Sequence, residues 1–131
     1  MNLGFIAHDS KKQLMQNFCI AYKNMLKKHN LFATGTTGQF IEDATGLNVH
    51  KYLAGSLGGE RQLSAQIENN DIDAVIFLRD PLVRLKEEPS FTRVYEACDI
   101  NNIPLATNVA TAELLILAID RGDLDWRDAY R

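Results

Sequence analysis

The sequence predicts an α/β protein: one domain over residues 1–131, three layers in the order α/β/α, with a mostly parallel five-stranded sheet in the middle. Short apolar runs alternate along the chain with segments whose apolar residues recur at helical spacing. A glycine- and threonine-rich segment, Thr34-Gly35-Thr36-Thr37-Gly38, stands between one such run and the next helix. The length, 131 residues, suits one domain with a real core and is too short for two ordinary ones.

Leu3–Ala7 is an apolar run that stops at His8-Asp9, the pattern of a buried first strand. From Ser10 onward Leu14, Phe18, Tyr22 and Met25 recur at four- and three-residue spacing, with Lys27 and Lys28 at the end, which predicts an amphipathic helix. Leu31–Ala33 is a second strand entering the glycine-threonine loop, and a helix over Gln39–Ala44 ends at Gly46. Asn48–Leu53 is a third strand, and the flexible stretch Ala54–Gly59 leads into a helix over Glu60–Asn69. Asp73–Leu78 is the most strand-like run and breaks at Asp80-Pro81. A helix over Phe91–Asn101, a strand at Pro104–Ala106 and a helix over Thr111–Asp120 complete the alternation. Asp125-Trp126-Arg127 is left to pack at a subunit interface or over the domain's own helix.

Composition narrows the function. The hydrophobic fraction of 46% and charged fraction of 24% are those of a globular protein, and a net charge of −3 argues against general nucleic-acid binding. No stretch approaches the roughly 20 apolar residues that cross a bilayer, and Met1–Phe5 lacks the regions of a secretory signal, so a cytoplasmic location with no membrane partner is expected. Cys19 and Cys98 stand apart with no metal-ligand spacing and read as buried thiols; His29 and His50 carry no pattern and read as surface residues.

In such sheets ligands bind outside the carboxyl ends of the strands. His8, Asp9 and Lys12 follow strand one, Thr34–Gly38 strand two, Gly55–Glu60 strand three, Asp80 strand four, and Thr107, Asn108 and Thr111 strand five. Glycines that permit positive φ, threonine hydroxyls and the free N–H groups of a helix start suit an anion. Alone, Thr34–Gly38 would serve as an ordinary helix cap; with Lys12 in reach it reads as a phosphate site. Asp9 is a helix cap, or supports His8 as a hydrogen-bond donor. Asp80 opens a turn before Pro81, or lines the site. Glu60 complements a helix dipole, or serves as a general base. Asp9, Glu60 and Asp80 around one pocket are expected to raise one another's pKa.

Together the blocks Ala7-His8-Asp9 with Lys12, Ala33–Gly38, Ala44-Thr45-Gly46, Gly55 with Gly58-Gly59, Asp80-Pro81-Leu82 and Ala106–Ala112 resemble the methylglyoxal synthases, in order and without gaps. The resemblance implies an enzyme that converts dihydroxyacetone phosphate to methylglyoxal and inorganic phosphate without metal or organic cofactor, assembled as a homohexamer and inhibited by phosphate. It implies that Lys12, Thr34, Thr36, Thr37 and Gly55 hold the phosphate, and that His8, Asp9 and Asp80 shape the reaction centre. This chain departs from the pattern: Glu60 takes the place of the family's aspartate base, Glu87 that of its histidine and Ser90 that of a second aspartate, while Ala54 and Ser56 flank Gly55. Glu60 as base, with His8 or a protonated Glu87 as donor, is one reading; a non-catalytic module sensing phosphate or a triose phosphate is the alternative. A changed substrate, with a second anionic group at Arg79, Arg84 and Lys86, is a third.

Overall fold

A computed structural model describes residues 1–54, 58–82 and 88–130, the side chains of 88–91 set aside. Strands β1 (Asn2–Ala7), β2 (Asn30–Ala33), β3 (Val49–Lys51), β4 (Ala74–Leu78) and β5 (Leu105–Ala106) form a five-stranded sheet in the order β3-β2-β1-β4-β5. Every pairing is parallel. Helices α1 (Lys12–Ala21), α2 (Lys23–Leu26), α3 (Gly35–Thr45), α4 (Gly59–Glu68), α5 (Glu88–Asn101) and α6 (Val109–Asp120) connect them. The expected three-layer α/β fold is thus observed, with its sheet parallel throughout.

The strands alternate between two cores, as period-two side chains must. Leu3, Phe5 and Ala7 join Ala74, Ile76 and Leu78 beneath α1, α3 and α6, represented by Met15, Ile41 and Ile116. Ile6 joins Val75 and Phe77 on the other face, beneath Leu63 and Ile67 of α4 and Val94 of α5. Full burial on both faces is why these strands read as continuous apolar runs.

Two local expectations are corrected. A 3-10 turn at Asp9–Lys11 precedes α1 and shifts its phase, so Met15, Phe18 and Cys19 face the core while Leu14 is 39% exposed. His29 is half-buried rather than on the surface, with its Nδ1 3.0 Å from the N-terminal amine; His50 is exposed. Cys19 and Cys98 are buried thiols, each pushed up to about 12 by burial. Among the described residues no helix is long and apolar enough to cross a membrane.

At the end of the sheet opposite the strand carboxyl termini, the C-terminal 3-10 helix Asp125–Tyr130 turns Arg127 inward. Its Nε donates to Asp73 Oδ1 at 3.2 Å, and the other oxygen of Asp73 accepts the Asn2 N–H at 2.7 Å. Both side chains of this pair are buried, whereas Trp126 is half exposed. Removing one partner of a buried ion pair leaves an uncompensated charge and costs about 3–5 kcal/mol. Arg127→Met is therefore expected to lower the unfolding free energy by about that amount, read as a lower urea midpoint at unchanged slope; an unmoved midpoint would mean that the pair contributes nothing to stability.

Candidate active site

The carboxyl ends of β1 and β4 are tied together beyond the last residues of either strand. His8 N–H donates to Leu78 O at 3.2 Å, and Asp80 N–H donates to His8 Nδ1 at 2.7 Å. With Nδ1 accepting, the proton of the neutral imidazole sits on Nε2, which becomes a donor. The ring is buried and stands edge-on to Phe77, with centroids 5.3 Å apart.

From the following turn, Lys12 reaches back so that Nζ donates to Ala7 O at 3.1 Å and Asp9 Oδ1 at 2.7 Å. The lysine is buried although the Asp9 side chain is exposed. Asp80 is held on the same rim: Ser10 Oγ donates to its Oδ2 at 2.7 Å and Leu82 N–H to its Oδ1 at 2.9 Å. These donors reverse an expectation. Instead of raising one another's pKa, Asp9 is held below the usual carboxylate range by the hydrogen bond and charge of Lys12, and Asp80 by the bonds from Ser10 and Leu82.

Thr34 is the N-cap residue of α3, so Gly35–Gly38 form its first turn rather than a loop before it. Gly35 and Gly38 do not have positive φ. Gly35 is required by space, because a Cβ there would lie 2.8 Å from the carbonyl oxygen of Tyr52. Its N–H is taken by Leu53 O at 3.1 Å, leaving the first-turn N–H groups of Thr36 and Thr37 without an intrahelical acceptor. Thr34 and Thr37 are buried, their hydroxyl oxygens 3.3 Å apart, while Thr36 is exposed. Since Phe5 pairs with Ala33, this helix start lies one strand over from Ala7 and Lys12.

Glu60 sits in the first turn of α4, entered through Gly58 at φ +101°. It begins a buried stripe with Leu63, Ser64 and Ile67 on the face of the sheet that carries Ile6 and Phe77. Glu60 is buried, and its Oε2 has no hydrogen-bond partner among the described residues. A buried carboxylate oxygen without a donor is costly to maintain and is the state a proton acceptor needs. Asn108 caps α6 by accepting from Thr111 N–H at 3.0 Å. Gly55, Ser56, Arg84, Lys86 and Glu87 lie outside the described residues.

The residues underrated in the sequence are Ser10, which holds Asp80 across 70 positions, and Arg79, the residue after β4. The Arg79 guanidinium lies over Tyr95, 5.3 Å from the ring centroid. Serine at a helix start and arginine beside the Asp-Pro break were the only signals.

The arrangement is that of a parallel α/β protein with a helix start and a lysine that suit an anion, a buried carboxylate in the first turn of α4 and an imidazole donor after β1. The chain belongs to the methylglyoxal synthase family: the family model described as an MGS-like domain matches residues 15–107. It is 59% identical over 128 residues to the methylglyoxal synthase of Caldicellulosiruptor saccharolyticus, covering 98% of this chain and 91% of that protein. The methylglyoxal synthase of Listeria welshimeri is 53% identical over 131 residues, 100% of this chain and 98% of that one. The crystal structure of methylglyoxal synthase from Elizabethkingia anophelis matches with a TM-score of 0.78 at 35% identity, covering 88% of this chain and 76% of that one.

Lys12→Met removes the first cause of the low Asp9 pKa, so NMR titration is expected to show the Asp9 carboxyl moving up to the ordinary range while Asp80 stays low. The Lys12–Asp9 interaction depresses the folded-state pKa, so its contribution is present above the unfolded value and is lost as pH falls through the folded one. An Asp9 titration indifferent to Lys12→Met would contradict the pairing. Gly35→Ala, which forces a methyl against the Tyr52 carbonyl, is expected to weaken inorganic phosphate binding in calorimetry; retained affinity would show that the α3 start tolerates the shift.

Proposed function

We propose that the protein is a lyase that converts dihydroxyacetone phosphate to methylglyoxal and inorganic phosphate through an enediolate. Family membership supports the reaction. The observation that supports it in this chain is Glu60: a buried carboxylate with an oxygen that no described residue engages, in the first turn of α4, the helix that packs on the sheet face carrying Ile6 and Phe77.

In this reading the substrate phosphate lies at the α3 start, held by the N–H groups of Thr36 and Thr37, the hydroxyls of Thr34 and Thr37, the Gly55 backbone and Lys12. Glu60 takes a proton from the hydroxymethyl carbon beside the carbonyl. The electron pair left behind forms the carbon–carbon double bond, and the carbonyl oxygen becomes the enediolate oxyanion. His8 Nε2–H donates to that oxygen. The hydroxyl on the deprotonated carbon then gives up its proton and becomes the aldehyde carbonyl, the double bond shifts to lie between the central and far carbons, and the bond from the far carbon to the phosphate oxygen breaks to release phosphate. The resulting enol takes up a proton on that far carbon and gives methylglyoxal. Asp9 and Asp80 are ionised positioning residues, the first for Lys12 and the second for the turn that follows β4. The carbonyl is assigned to His8 because its Nε2 carries a proton to donate.

The protein is also proposed to be a cytoplasmic homohexamer of single domains, on the family resemblance alone; a monomer in light scattering would remove the hexamer.

Purified protein is expected to form methylglyoxal from dihydroxyacetone phosphate, and Glu60→Gln to lower kcat by about a hundred- to ten-thousandfold with inorganic phosphate binding intact. Wild-type protein that binds phosphate and yields no methylglyoxal would instead establish a binding module.

A further inference from the structure

The enediolate charge of the proposed reaction would develop beside carboxylates. Asp9 and Asp80 are held in the ionised range, and the ammonium of Lys12 is engaged by Asp9. An oxyanion there needs a cation close by, and the sheet supplies one.

Strands β1 and β4 pair from Leu3 with Ala74 to Ala7 with Leu78. The bond from His8 N–H to Leu78 O continues the ladder, so the next rung joins His8 to Arg79. Residues on one rung of a parallel pair share a face and stand about 4.8 Å apart at the backbone. The face is the one that holds Ile6 and Phe77, two residues earlier on each strand, and α4 with Glu60 lies over it. Arg79 is half-buried, and its N–H donates to Thr107 O of the segment after β5 at 3.4 Å. Tyr95, itself packed on Phe77 with centroids 6.0 Å apart, lies under the guanidinium. A cation over an aromatic face keeps its charge and loses freedom of orientation, which is how a donor is made ready before reaction. Unlike an imidazole, a guanidinium stays charged at every working pH.

Resting on the lyase reading above, we propose that Arg79 is a catalytic residue that donates, beside His8 Nε2–H, to the substrate carbonyl oxygen as it becomes the enediolate oxyanion. It would take the part left open where Glu87 stands in place of the family's histidine.

The test is Arg79→Gln and Arg79→Lys, each assayed for kcat and KM with dihydroxyacetone phosphate and for affinity toward two probes. Inorganic phosphate reports the cradle alone, and 2-phosphoglycolate adds a carboxylate where the enediolate oxygens form. Arg79→Gln is expected to lower kcat by about a hundred- to a thousandfold, with a small change in KM, and to weaken 2-phosphoglycolate but not phosphate. Arg79→Lys, which keeps the charge and loses the planar fork, is expected to fall between, and carries the test alone if Arg79→Gln does not fold. A kcat and a 2-phosphoglycolate affinity within about twofold of wild type in both variants would overturn the assignment. So would equal loss of phosphate and 2-phosphoglycolate affinity, which marks a cradle or folding defect. Wild-type protein without turnover refutes the lyase reading instead, and the selective loss of 2-phosphoglycolate binding then decides the place of Arg79 by itself.

Discussion

The parallel pairing of β1 with β4 is the constraint on which the rest of the site depends. It runs unbroken from Leu3 with Ala74 to Ala7 with Leu78, at the centre of the sheet, where both faces are buried. Past its last rung the ladder continues through side chains, and the Asp80 N–H that would otherwise seek a strand partner finds His8 Nδ1. One hydrogen bond of ordinary strength, worth about 0.5–1.5 kcal/mol net, therefore sets the turn after β4, the plane of the imidazole and the nitrogen that keeps its proton. The same rung brings Arg79 beside His8. A scaffold rigid at its core delivers these groups with little freedom left to remove on binding.

Around that pair, electrostatics divide the carboxylates. Asp9 and Asp80 each receive donors and stay ionised, which suits groups that position others. Glu60 is buried with an oxygen that no described residue engages. Asp9 and Asp80 thus differ from Glu60 in the hydrogen-bond donors around them. The lysine that holds Asp9 also stands one strand from the start of α3, so in the proposed reaction the substrate phosphate would compete with Asp9 for it.

Strands and the order of elements were legible in the sequence because burial on both faces writes strands as apolar runs, and the motif blocks identified the family. Phe18, Tyr22 and Met25 of the expected stripe do pack on the core, but its first member does not: counting from Ser10 assumes a regular helix, and with the 3-10 turn at Asp9–Lys11 it is Met15 and not Leu14 that is buried. Gly35 was read as a residue needing positive φ, whereas its constraint is the Tyr52 carbonyl, a contact 17 positions away (52 − 35) that no local pattern encodes. Carboxylates can be seen in a sequence, but the donors that set their pKa cannot, and Ser10 bonding Asp80 is such a case. Strand order is equally hidden. Only with β1 and β4 known to be neighbours does the residue after β4 become a candidate for chemistry.

The proposed reaction begins when Glu60 removes a proton from carbon, with His8 as the neighbouring donor. Single-turnover formation of methylglyoxal from dihydroxyacetone phosphate deuterated at the hydroxymethyl carbon tests it most directly. Slower product formation is expected from the deuterated substrate than from the protiated one, a primary isotope effect on the step that makes the enediolate. Equal single-turnover rates, with methylglyoxal still formed, would contradict proton abstraction as the step that this arrangement of side chains serves.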